Sequence, residues 1–412
     1  MLYVGIDWSD GDHKVYCIDD KEACLDAFVI PHSPEGVSEL FQRIEKCAHD
    51  VKEVLFALEK PSGLLVDAIL DKGFPLYPIN PKAVDRYRDR YKVSGKKDDF
   101  FDARVLANIL RTDRQNHQPL VPDSVVTRHL KILTHQYEGL SRLKRRILNQ
   151  ITGTLKDYYP VALEVFNKID QKVTIDFLKK FSTPDRFSQL TRETMRKFLK
   201  KNHYPGIDQK TEEIYRLSQR PHFKVEDFVV ESKSLYLLSL LSQLEHLLVS
   251  LKTFEEKMSQ LLEQHPDKDI FLSLPGSGEI TAAKLISEFG DHREKYPKVS
   301  CVQEIAGSCP VTEQSGKYKR VYFRRACRKS FRNTVSQFSF CSLKESNWAG
   351  ERYKKHIQSG KKKTHALRCL GNAWLEVIFR MWQDRSTYDE QKHLKIVKEQ
   401  FQEDFLPVSL SC

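Results

Sequence analysis

A chain of 412 residues with 40% hydrophobic content has room for two or three cores. Its 67 lysines and arginines outnumber its 56 acids, and the resulting net charge of +11 puts polyanions first among partner classes. No apolar run approaches the roughly 18 residues of a membrane span, no basic-then-apolar leader precedes Asp7, and the nine cysteines form no Cys-x-x-Cys pair. The expected protein is cytoplasmic, with no membrane partner, zinc cluster or disulfide framework.

Leu2 to Asp7 and His13 to Ile18 flank a turn at Asp10-Gly11 and read as a hairpin. A third strand is expected through Ala27 to Ile30, a helix over 34–48 from the spacing of Val37, Leu40, Phe41 and Ile44, and a buried strand over 53–59 ending at Glu59. A helix over 63–72, a strand over 74–79 and a helix over 103–111 complete a β-β-β-α-β-α-β-α order. Three antiparallel strands followed by α/β units is the order of a ribonuclease H-like domain, expected over 1–125.

That order makes a site out of scattered acids. Open α/β sheets place ligands at the carboxyl ends of their strands, where Asp7 and Glu59 both emerge. Asp99 and Asp102, three residues apart, share one helix face and can reach the same edge. Four carboxylates around one cleft repel unless divalent cations lie among them, and two Mg²⁺ ions about 4 Å apart are the expected solution. Gly5-Ile6-Asp7-Trp8-Ser9 also resembles the first phosphate loop of actin-like ATPases, but the chain lacks the Gly-Gly segment that those proteins need.

From Thr127 to Tyr159 a long helix is expected, apolar at Leu130, Leu133, Tyr137 and Leu140 and basic on its other face. Residues 160–224 are polar and broken by prolines. Leu237, Leu241, Leu244, Leu248, Leu251, Met258 and Leu262 then follow steps of three and four, a coiled-coil seam with Glu255 as its one flaw. The expectation for 126–266 is an antiparallel coiled-coil arm used for subunit contact, making the protein a homo-oligomer, dimer or tetramer.

The third segment, 267–412, is expected to be mainly helical. Pro275-Gly276-Ser277-Gly278 before a helical Ile280 to Phe289 reads as the turn of a helix-hairpin-helix, in which Gly276 and Gly278 would leave backbone N–H groups open to a DNA phosphate. From Gly316 to Arg332 there are eight basic residues and no acid, and Arg352 to Arg368 adds seven more. Aromatic residues are interleaved with them, so rings for stacking sit among charges for phosphates, and Lys317, Lys319, Arg320, Arg324, Arg325 and Arg328 are the expected nucleic-acid contacts.

Together, Asp7 in Gly-Ile-Asp, Glu59 in Leu-Glu-Lys-Pro-Ser-Gly, the stretch from Lys97 to Ala107 and the stretch from Pro310 to Lys317 resemble the IS one-ten family of insertion-sequence transposases, relatives of Piv-type DNA invertases. The resemblance implies a RuvC-like domain with Asp7, Glu59, Asp99 and Asp102 as the metal-binding quartet, a coiled coil, and a transposase domain with Ser315 as a reactive serine. It also implies a structured guide RNA, encoded by the element, that pairs with donor and target DNA. Some positions depart from the family pattern, among them Phe101 where an aliphatic residue is usual. Asp98 stands where a small hydroxyl residue is usual and competes with Asp99 as a ligand, and Ser308 is a second candidate serine. A serine nucleophile suits the chemistry, because a covalent phosphoserine conserves the phosphodiester bond between breaking and rejoining. The rival readings are a RuvC-like, metal-dependent junction resolvase with Ser315 idle, and a nucleic-acid-binding scaffold without catalysis.

Overall fold

The computed structural model describes residues 1–48, 50–91, 100–221, 223–316 and 318–395. Its contacts divide the chain into two units, Met1–Pro122 and Asp123–Cys412.

Unit 1 is a five-stranded sheet of β1 (Leu2–Trp8), β2 (Asp12–Ile18), β3 (Cys24–Pro31), β4 (Val54–Leu58) and β5 (Leu76–Pro78) with four helices, α1 (Pro34–Cys47), α2 (Leu64–Asp71), α3 (Pro81–Tyr91) and α4 (Phe101–Asp113). The strand order is β3-β2-β1-β4-β5, with the first three strands antiparallel and β4 and β5 parallel to β1. Helices lie on both faces, so β1 and β4 are apolar at nearly every position rather than alternating. One face buries Val4, Ile6, Phe56 and Leu58 against α1 and α2, and the other buries Tyr3, Leu55 and Ala57 against α4. Helix α1 starts where Ser33 accepts the Gly36 N–H and Pro34 occupies the first turn.

Gly5 sets the distance between β1 and α4. A Cβ built there would lie 1.9 Å from the Ala103 carbonyl oxygen and 2.6 Å from the Ala107 nitrogen, so the α4 backbone rests directly on the strand. The buried Ala103 and Ala107 complete this close approach.

The expected elements are present, with ends moved by one to three residues, and one helix is additional. Asn80 accepts the Lys82 N–H and Pro81 opens α3, a capped helix start inside a stretch that the hydrophobic spacing leaves blank. Asp98 and Asp99 lie outside the described residues.

Unit 2 is mostly helical. Its long helices α5 (Val125–Tyr158) and α11 (Asp227–Glu263) flank five shorter ones, α6 (Ala162–Val165), α7 (Lys172–Lys180), α8 (Pro184–Ser188), α9 (Arg192–Lys201) and α10 (Ile207–Ser218). After α11 come α12 (Lys268–Leu272), α13 (Glu279–Phe289), α14 (Val299–Ala306), a hairpin of β6 (Val311–Ser315) and β7 (Tyr318–Tyr322), then α15 (Lys329–Glu345), α16 (Asn347–Gln358) and α17 (Lys363–Asp384). Helices α5 and α11 pack side by side. The Tyr137 hydroxyl donates to Glu255 at 2.6 Å while Lys233 reaches Asp157 at 2.6 Å, which fixes the pair as antiparallel. Glu255, the flaw in the leucine stripe, is thus the acceptor for a tyrosine of the facing helix.

By length and composition α11 is apolar enough to cross a membrane, yet Leu237, Leu241, Leu244, Leu251, Met258 and Leu262 are buried in the protein's own core. Each such side chain contributes about 1.5–3 kcal/mol by leaving water. Leu130 of α5 and Met258 of α11 share one core with Phe271, Phe289, Phe331 and Trp382, so the segments expected as 126–266 and 267–412 form a single unit.

Candidate active site and nucleic-acid surface

In unit 1, Asp7 stands near the end of β1 opposite Lys14 of β2, Glu59 follows the last residue of β4, and Asp102 is in the first turn of α4. The parallel pairing of β1 with β4 brings the first two to one edge, and the close approach at Gly5 carries α4, and with it Asp102, onto the same edge. The three charges act on one another. Burial pushes the Asp7 carboxyl up from its ordinary value and the Asp102 charge pushes it further. Burial also raises Glu59, with Asp7 and Asp102 adding to the effect while Arg88 opposes it.

Arg88, which sequence reasoning missed, is a second cation at this edge besides Lys14, which faces Asp7 across the β1–β2 pair. Its Nε donates to Asp102 at 2.7 Å and a second nitrogen lies 2.7 Å from the other carboxylate oxygen, a two-point pair, while Asp85 takes a further bond at 2.8 Å. The signal that could have found it is the Asn80-Pro81 helix start, which puts Arg88 two turns into α3. On the opposite sheet face, Lys60 stacks over Trp8 at 3.4 Å.

The donor chemistry fits a hard divalent cation: oxygen ligands only, two of them held at raised affinity for protons by burial and like charge. Among the described residues, however, no group of three His, Cys, Asp or Glu side chains is gathered to hold a metal. Asp99, the expected fourth ligand, lies outside them.

In unit 2, Ser315 ends β6 and pairs with Tyr318, the first residue of β7, across a turn at Gly316, whose φ is +57°. The serine is therefore at the tip of a β-hairpin and not in a loop between helices. Val311, Thr312 and Val321, Tyr322 supply β-formers on either side of a glycine turn, a signal masked by the density of charge. Directly paired residues share a face, so Ser315, Tyr318, Glu313, Arg320, Val311 and Tyr322 project from one side. There the Arg320 guanidinium lies 4.6 Å from the Tyr318 ring and bonds the hydroxyls of Tyr318 and Tyr322. Tyr318 is 58% exposed. Among the described residues, no histidine or carboxylate is hydrogen-bonded to Ser315. Lys317 lies outside them.

The other expected contacts separate. Lys319, paired with Gln314, and Arg325 are exposed on or beside the hairpin. Arg324 is partly buried, 3.8 Å from Glu304. Arg328 donates to buried Glu288 at 2.9 Å, and Ser330 bonds the other oxygen, so this guanidinium serves the fold. Gly276, at φ +75°, touches the α15 backbone, where a Cβ would come within 2.8 Å of Cys341, while Gly278 opens α13 with free space around it. Ser308 donates to Asn372 at 2.8 Å and lies within a packed group with Gln303 and Glu376, unlike the tip serine.

Comparison with known proteins finds a family match in two parts of the chain. Residues 4–160 match a family described as transposase, and residues 268–355 match the transposase IS116/IS110/IS902 family. The mini-circle putative transposase for IS117 of Streptomyces coelicolor is 30% identical over 397 residues, 95% of this chain and 96% of that one. The putative transposase y4uE of Sinorhizobium fredii is 31% identical over 208 residues, 50% of this chain and 58% of its own length. An uncharacterized 42 kDa protein of insertion element IS900 from Mycobacterium paratuberculosis is 22% identical over 396 residues, 94% of this chain and 97% of that one. With both ends of the molecule matched and a relative aligned nearly end to end, the chain belongs to the IS110 (IS one-ten) family of transposases, proteins that cut and rejoin DNA in transposition.

Proposed function

We propose that this transposase is an RNA-guided, Mg²⁺-dependent recombinase in which Ser315 is the nucleophile and Asp7, Glu59, Asp99 and Asp102 hold the metal at the edge of a RuvC-like sheet. The observation that carries the reading is the shared hairpin face of Ser315 and Arg320, a hydroxyl and a guanidinium projecting together from an exposed tip. The Ser315 oxygen forms a bond to phosphorus, the bond from phosphorus to a sugar oxygen breaks, and that oxygen leaves with a proton. Rejoining reverses the step with the sugar hydroxyl of the new strand, so no phosphodiester is lost to water. Arg320 donates to the phosphate oxygens as their charge grows. The strand order β3-β2-β1-β4-β5 and the mutual electrostatic effect of Asp7, Glu59 and Asp102 support the acidic half. When bound by these carboxylates, Mg²⁺ would supply positive charge to a phosphate held at the acidic edge.

Guide RNA, a homo-oligomer of two or four chains and a cytoplasmic location complete the proposal. The RNA rests on family resemblance, the oligomer on the long antiparallel pair α5 and α11, and the location on DNA as substrate. The test is trapping: incubation with element-end DNA, guide RNA and Mg²⁺, followed by denaturing electrophoresis. A protein–DNA adduct with the wild type and none with Ser315→Ala is the expected result. Cleavage without any adduct would replace this reading with the junction-resolvase one.

A further inference from the structure

Phe323 follows β7 directly, at the root of the hairpin that carries Ser315, and is 47% exposed. Two guanidiniums converge on its ring: Arg332, from the first turn of α15, at 4.6 Å and Arg368, from α17, at 4.3 Å. Arg332 also bonds the Arg324 carbonyl oxygen and lies against Gly307, where a Cβ would come within 2.3 Å of its terminal nitrogen. The slot is shaped around this side chain, and Gly307, at φ +64°, is the residue that leaves room for it. Arg324 is joined to this pair through its carbonyl oxygen. The Nε atoms of Arg324 and Arg332 are buried and have no hydrogen-bond partner among the described residues.

Arg332 and Arg368 therefore meet at one ring, with Arg324 joined to Arg332 through its backbone. Among the described residues the one carboxylate paired with any of the three is Glu304, 3.8 Å from Arg324 and itself 52% exposed. Arg328 makes the contrast, since its guanidinium faces a buried glutamate. Guanidiniums fixed by packing, two of which (Arg332 and Arg368) have no ion pair among the described residues, fit an anion with several oxygens, and planar two-point bonding favours phosphate. With both guanidiniums over Phe323, that ring is already engaged and a stacked base is the weaker occupant.

We infer that Arg332 and Arg368, ordered on Phe323, together with the neighbouring Arg324 hold a backbone phosphate of the DNA strand being cut, next to the hairpin that presents Ser315. The inference rests on the reading of this unit as the DNA-reacting one, and DNA is chosen over RNA because Phe323 continues the strand that leads to the serine. It adds Arg332, Arg368 and Phe323 to the expected contacts and gives them one ligand.

The test is binding, separate from cleavage: the full chain in chelator, a 30-base-pair duplex in one arm and an RNA hairpin of similar length in the other, titrated at several salt concentrations. Arg332→Gln and Arg368→Gln should each weaken DNA binding roughly tenfold and reduce the slope of log Kd against log salt by about 0.9, the value of one phosphate contact. Arg192→Gln, an exposed arginine of α9 paired with Glu212, should change neither. Arg368→Lys keeps the charge without the planar fork and should weaken binding while leaving the slope nearly intact, which guards against a variant that merely fails to fold. Unchanged DNA slopes in folded Arg332→Gln and Arg368→Gln, or a change confined to the RNA arm, would overturn the inference. Because Ser315→Ala should bind DNA normally, loss of the adduct and loss of the salt slope report separately on the nucleophile and on this site.

Discussion

The acidic edge of unit 1 and the hairpin of unit 2 are built on opposite physical terms. Asp7, Glu59 and Asp102 are brought together by strand pairing and by a helix backbone resting on Gly5, and burial raises the proton affinity of two of them. The hairpin is exposed along β7, and Ser315 is placed by one turn and five cross-strand pairs. The lesson is that position is secured by the core at the first site and by local backbone geometry at the second. Damage to the packing behind the first, as at Gly5, should reach the fold before it reaches chemistry, whereas damage to the second should leave the fold almost untouched.

Ser315→Ala draws that contrast most sharply. Adduct formation and strand exchange should disappear, while stability changes by less than about 0.5 kcal/mol, the range of surface substitutions away from special features. A parallel Ser308→Ala variant should keep the adduct, because Ser308 is bonded to Asn372 within packed helices. If Ser308→Ala abolished the adduct and Ser315→Ala did not, the tip serine would lose its role. Gly5→Val is the counterpart in unit 1. Its new side chain collides with the α4 backbone, which cannot rotate away as a flexible side chain does. A loss of roughly 1–3 kcal/mol or more is expected in chemical denaturation, as for overpacked cores, with activity falling through the fold. A stable Gly5→Val variant would mean that α4 does not rest on β1, and the convergence of Asp102 with Asp7 would go with it.

Much of unit 1 was legible because its strands and helices have different hydrophobic periods and its acids sit at strand ends. The antiparallel pairing of α5 and α11 was legible from two long amphipathic helices on either side of an irregular insert. Arg88 was not, since α3 has few apolar residues and only its Asn-Pro start announces it. The hairpin was hidden by the charge that made the same stretch conspicuous, so Ser315 was found while its backbone setting was missed. Arg328 shows the limit of reading charge alone: it belongs to a basic run, and only packing places it against Glu288.

The third prediction sharpens the comparison through charge. At neutral pH and in chelator, Asp7→Asn removes one member of a mutually repelling, partly buried set, so the melting temperature should rise, while in a separate assay with Mg²⁺ cleavage should be lost. The equivalent change on the hairpin, Arg320→Gln, should shift the melting temperature little, because Arg320 bonds only exposed tyrosine hydroxyls. A lower melting temperature for Asp7→Asn would mean that the carboxylate is structural.

The smallest effect concerns pH and lies beneath the acidic edge. His13 is fully buried, its Nδ1 accepts from the Ser9 N–H at 3.4 Å, and its Nε2 lies 2.8 Å from Nδ1 of His32, so the two bonds assign the proton to Nε2. Burial lowers its pKa from the ordinary value, the His32 and Lys60 charges lower it further, and Asp12 opposes them. Charging the ring would place a second N–H on Nδ1, facing the Ser9 donor. Between the depressed folded pKa and the unfolded value near 6.5, the unfolded chain binds more protons, so stability rises with pH and is lost as pH falls from about 6.5. One such group changes stability by at most about 1.4 kcal/mol per pH unit. His13→Gln can still accept from Ser9 and donate to His32 without titrating. Between pH 7.5 and 5.5 the wild type should therefore lose more stability than the variant, as read by the denaturation midpoint of unit 1. Equal losses would show that His13 takes up its proton as readily in the folded protein as in the unfolded chain, and the bond assigned from Ser9 would be wrong.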